Sequence, residues 1–106
     1  ACASPPAPTA RLQAAEQAIA AAQAADASRH AAAELGEAQA RLASANTAVQ
    51  AEEMESAARL ADESRVEAEL ATARAASAKA RMVNDEMKRS TGTLIDEMQR
   101  NTGEPK

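Results

Sequence analysis

The residues whose types could do chemistry are few and scattered: Cys2, the single histidine His30, and the acidic pairs Glu52-Glu53 and Asp85-Glu86. His30 has no second histidine and no cysteine near it, so the short ligand spacing of a zinc site is missing. It reads as a solvated turn residue. The two acidic pairs would hold calcium only inside a loop rich in oxygen ligands and glycine. Both are expected on helices instead, as solvated faces. Carboxylate pairs that move protons need a desolvating pocket, and a scaffold built from alanine offers no wall for one. There is no Gly-rich phosphate loop and no Ser-His-Asp set. The expectation is a protein that is not an enzyme, with no metal, no cofactor and no small-molecule substrate.

Cys2 is the one group left with a chemistry of its own. It is the only cysteine, so no disulfide forms within the chain, and it stands in Ala1-Cys2-Ala3-Ser4 ahead of the Pro-rich stretch Pro5-Pro6-Ala7-Pro8. That arrangement is similar to the processing junction of a bacterial lipoprotein, where the cysteine after a small residue becomes the new N-terminus and carries the lipid. The alternative is a terminal thiol of no consequence. On the lipid reading, membrane contact comes through Cys2, and residues 3–8 form a short extended spacer with a polyproline tendency.

Positioning elements follow from composition. Alanine fills 32 of the 106 positions, Leu, Ile, Val and Met together fill 15, and there is no Phe, Tyr or Trp. A buried large aliphatic side chain stabilises by about 1.5–3 kcal/mol and alanine by far less, so any core is thin. Alanine has the highest helix propensity, and the β-branched and aromatic residues of strands are scarce, so the fold is all-α. The net charge of −4, with both signs interleaved, lacks the basic face that nucleic acid requires. No run approaches the ~18 apolar residues of a membrane span.

Periodicity places the helices. The first is expected over about residues 10–26 with Thr9 as N-cap, on the seam Leu12, Ala15, Ile19 and Ala22. The second is expected over about 31–51, on Leu35, Ala38, Leu42, Ala45 and Val49. These two seams are out of phase by two residues, which favours a turn near 26–31 over one continuous helix, although Asp26-Ala27-Ser28-Arg29-His30 holds neither Gly nor Pro. A third helix over about 53–90 carries the most regular seam, Met54 through Ala57, Ala61, Ser64, Ala68, Ala71, Ala75 and Ala78 to Met82. Ser90-Thr91-Gly92 is expected to end or bend it, with Thr93 and Asp96 capping a last short helix through Arg100 and a frayed tail after it. The fold expected is an antiparallel three-helix bundle or a long helical hairpin, with alanine-rich, coiled-coil-like seams. A second stripe on the third helix, through Val66, Leu70, Met87 and Leu94, is the expected interaction surface, for its own bundle, a second copy or a helical partner.

The runs Leu12-Gln-Ala-Ala15-Glu-Gln-Ala18-Ile19, Glu34-Leu35-Gly-Glu-Ala38-Gln-Ala-Arg-Leu42-Ala-Ser-Ala45 and Ala58-Arg-Leu60-Ala61-Asp-Glu-Ser-Arg-Val-Glu-Ala68-Glu-Leu70-Ala71 resemble an alanine-rich bacterial envelope family. It is the one catalogued as domain of unknown function 4398, whose members are typically short lipoproteins. The resemblance covers about residues 9–80 and implies a periplasm-facing lipoprotein with Cys2 as the lipid site. Ala3-Ser4 lacks the Asp that directs inner-membrane retention, so the resemblance implies the outer membrane. Some members add a peptidoglycan-binding module, which residues 81–106 do not resemble, so wall binding is not carried over.

Overall fold

The computed structural model describes residues 5–103, in which four helices and no strands are found. They are α1 (Thr9–Ala24), α2 (Ala27–His30), α3 (Ala32–Gln50) and α4 (Met54–Gly103). Cys2 and its neighbours at residues 1–4 lie outside the described residues. The chain divides into two units, with the boundary between Ala76 and Ser77.

In the first unit, α3 and the beginning of α4 form an antiparallel hairpin, and α1 lies against it. Opposed direction follows from the contacts: Ser64 meets Ala38, Arg41 meets Glu63, and Glu34 meets Arg74, so numbers fall along α3 as they rise along α4. Arg11 meets Asp62 while Ile19 and Ala22 share a core with Ala68, Ala71 and Ala75, so α1 runs with α4 and against α3. The three antiparallel segments expected from the sequence are therefore present.

The core is a seam of small residues. On α4, Ala57, Ala61, Ser64, Ala68, Ala71 and Ala75 are each 0% exposed, in the unbroken four-three spacing of one helix face. Facing them are Ala15, Ile19 and Ala22 of α1 and Leu35, Ala38, Ala45 and Ala48 of α3. With a methyl group or less at most inner positions, helix axes can pack at the short end of the usual 8–10 Å range. Ser64 fits that seam because its hydroxyl donates to the Ala38 carbonyl at 2.6 Å, so its polar atom is not orphaned. Leu42 and Val49, also expected in the seam, are half-buried, and Ala48 takes the inner position beside Val49.

Two turns separate these helices, each through a non-glycine residue in the left-handed region. Asp26 (φ 62°, ψ 34°) closes α1 by donating its N–H to the Gln23 carbonyl at 3.1 Å. Its own carbonyl accepts from the N–H groups of Arg29 and His30, which opens the single turn of α2. Asp is among the few residues that enter this region readily. The second turn has Glu52 at φ 61°. There the Glu53 N–H donates to the Ala48 carbonyl at 2.8 Å and the Glu52 N–H to the Val49 carbonyl at 3.0 Å. This is a Schellman closure built on Glu where Gly is usual.

Some expected boundaries shift. Thr9 is the first helical residue, not the N-cap; Pro8 precedes it, and its carbonyl accepts from the Leu12 N–H at 3.0 Å. Met82, expected at the end of the seam, is 58% exposed. Glu34 near the start of α3 already pairs with Arg74, so α3 has no further turn with which to cover later positions. Finally, α4 continues through Ser90-Thr91-Gly92, where a break was expected. Thr93 does not cap a new helix; its hydroxyl donates back to the Arg89 carbonyl at 3.0 Å, a bond available only inside a continuing helix. One glycine costs about 1 kcal/mol relative to alanine, which the favourable residues around it outweigh.

Two tests follow. A Cβ built at Gly36 or Gly92 meets nothing within 4 Å. Gly36→Ala and Gly92→Ala are therefore expected to raise stability or helicity, each by an amount equivalent to about 0.5–1 kcal/mol. Circular dichroism and urea midpoints measure this, and a loss of helicity in Gly92→Ala would restore the break. In the seam, Ala61→Leu and Ala68→Leu are expected to overpack and cost about 1–3 kcal/mol, while the exposed control Glu69→Leu changes little. Equal midpoints for all of these variants would mean that the seam is not a close interface.

Candidate interaction surface

Among the described residues, no three or more His, Cys, Asp or Glu side chains converge on a point that could hold a metal ion. His30 closes α2 and is half-buried. Glu52 and Glu53, expected on a helix, instead form the turn between α3 and α4; Asp85 and Glu86 are exposed on α4. No described helix is long and apolar enough to cross a membrane.

The first unit has an open groove of about 690 Å³, floored by Ala58 and Val66 and edged by Arg11, Arg41, Arg59, Asp62 and Glu63 among others. Arg11 and Arg41 reach carboxylates on α4, while Arg59 pairs within α4 with Glu63 at 3.9 Å. Arg11 pairs with Asp62 at 3.0 Å, and Arg41 with Glu63 at 2.8 Å and with Glu37 at 3.5 Å. The Arg41 Nε is buried without a partner, although the rest of its side chain reaches solvent. Such exposed pairs contribute about 0–1 kcal/mol each, and they help set which faces of the helices meet. Charge interleaving along the sequence showed solvated faces, but pairs between different helices could not be read from it. In this unit the expected surface residues Val66 and Leu70, one helical turn apart, are 54% and 39% exposed.

In the second unit, every position from 80 to 102 is exposed. Met87 and Leu94, both named by the sequence analysis, are 63% and 60% exposed and share a face two turns apart. Val83, Ile95 and Met98 join them as large exposed apolar residues that the sequence analysis missed. The signal for Met98 was present, since it follows Leu94 by four residues. Isolated exposed apolar side chains are ordinary; here Val83, Met87, Leu94 and Met98 recur along one helix face. Within each unit, then, the expected residues fall on exposed helix faces and none lines an enclosed cavity.

The family model described as a domain of unknown function, DUF4398, matches residues 10–87. That span takes in α1, α2, α3 and α4 as far as Met87. No curated protein and no solved structure matches the chain at a significant level.

Proposed function

The chain belongs to the DUF4398 family, and from that premise we propose that it is a non-enzymatic, periplasm-facing envelope lipoprotein that acts as a helical spacer and interaction module. The observation that carries the interaction role is the face of α4 bearing Met87 and Leu94, large apolar side chains held in regular helix and open to solvent. Lipid attachment is assigned to Cys2, ahead of the Pro-rich spacer, and the membrane to the outer one, on the sequence features set out above. In this arrangement the lipid fixes the protein to a surface, residues 3–8 hold the helices off it, and α4 presents the contact face.

The precursor with its own leader, expressed in a Gram-negative host, is expected to incorporate labelled palmitate and to fractionate with the outer membrane. Cys2→Ala is expected to abolish labelling and to release the protein. Labelling of that variant at the parental level would remove the lipid assignment. The protein would then be a helical adaptor working through α4 alone.

A further inference from the structure

All four methionines of the chain lie on α4, in different surroundings. Met54, the first residue of the helix, is half-buried, whereas Met82, Met87 and Met98 are 58%, 63% and 58% exposed. None belongs to the packed interior, which among the described residues is alanine with Ile19, Leu35 and Ser64. A thioether is readily oxidised to a sulfoxide, and an oxidant in solution must reach the sulfur to do it. The chain has no Trp or Tyr to compete, and Cys2 is its only thiol. Two of the exposed methionines share a face. At about 100° per residue, Met98 lies about 20° from Met87 around the helix, with Leu94 about 20° and Val83 about 40° to its other side. Met82 lies about 140° away. Half of the large side chains on that face are therefore thioethers.

We propose that this face is a site of reversible oxidation, at which a peroxide converts the thioethers of Met87 and Met98 to sulfoxides and turns the face from apolar to polar. The first unit keeps its packing, because no methionine contributes to its core. The modification concerns the free chain and depends neither on the interaction role nor on the lipid. In the reaction, the sulfur lone pair attacks one oxygen of hydrogen peroxide. An S–O bond forms and the O–O bond breaks. The second oxygen takes the proton that the first one sheds and leaves as water. Sulfur is oxidised by two electrons and the peroxide is reduced by two. The product is a strong hydrogen-bond acceptor on a side chain that was apolar, in a position where water reaches it. Placed in a core, such a group disrupts packing; on an open helix face, it changes only what the surface offers. Sulfoxide reductases return both epimers to the thioether, so the change is reversible.

The test uses the full chain with Cys2→Ala, so that methionine is the only sulfur present, and hydrogen peroxide as the probe. Mass mapping of proteolytic peptides over time should show Met82, Met87 and Met98 gaining oxygen about threefold or more faster than Met54. Retention on a hydrophobic-interaction column should fall as Met87 and Met98 are oxidised. Treatment with both stereospecific sulfoxide reductases and a dithiol should restore it. The variant carrying Met87→Leu and Met98→Leu keeps the apolar face without its sulfur, and should hold most of its retention through the same exposure. The urea midpoint should be the same before and after oxidation. Equal oxidation of Met54 and Met87 would overturn the proposal, since exposure would then not select the site. An equal loss of retention in the double leucine variant would overturn it as well, and so would a fall in the urea midpoint, the mark of damage to the fold.

Discussion

Close approach of helix backbones across alanine is the constraint on which the first unit depends. With few large side chains to bury, these helices gain contact by leaving almost nothing between them. From Ala57 to Ala75 the inner positions of α4 are fully buried although none is larger than serine. Dispersion between closely packed atoms is small per pair and grows only with the number of pairs. That makes the geometry unforgiving, because a single added branch separates the helices along their length. Ser64 shows the tolerance of this seam. It is accepted because its hydroxyl finds the Ala38 carbonyl, and it ties α4 to α3 at one register position.

A seam made of repeated alanine defines direction and register poorly by itself, since sliding by one heptad sets alanine against alanine again. The features that remove this ambiguity lie outside it. The left-handed turns at Asp26 and Glu52 set the lengths of α1 and α3. Ile19 and Leu35 are the large residues in a core otherwise made mostly of methyl groups. The ion pairs Arg11–Asp62, Arg41–Glu63 and Arg74–Glu34 are all made together in the native register. Each is weak alone, and the one that a one-heptad slip loses in either direction is Arg41–Glu63, since Arg41 would then meet Leu70 or Ser56.

What the sequence made legible, and what it did not, divides along the same line. The α4 seam was readable because helical spacing is a local property, and it runs from Ala57 to Ala75 without a slip. Its end was not readable, because Met82 is left exposed by where α3 begins, a matter of tertiary alignment. The break after α1 was implied by the two-residue phase slip between Leu12/Ile19 and Leu35/Leu42. The extra turn α2 was not, since only the carbonyl of Asp26 and a left-handed φ generate it. Glu52 has none of the usual composition of a helix terminus, so the second turn was visible only as a gap between seams. Gly92 misled in the opposite direction: a locally unfavourable residue was given more weight than the run of helix formers on both sides. On the exposed face, Met87 and Leu94 were found by spacing, whereas Val83 and Ile95 sit just off the strict repeat.

The alanine seam also shapes how this fold responds to temperature. Unfolding raises the heat capacity mainly by exposing apolar surface, and a core of methyl groups has little to expose. The heat-capacity change per residue should fall below the ~12–15 cal/mol/K of ordinary globular domains. A small change reduces the curvature of the stability curve, so its maximum is broad. The same shortage of exposable surface lowers the denaturant m-value. A fold held in this way gains evenness of stability around that maximum.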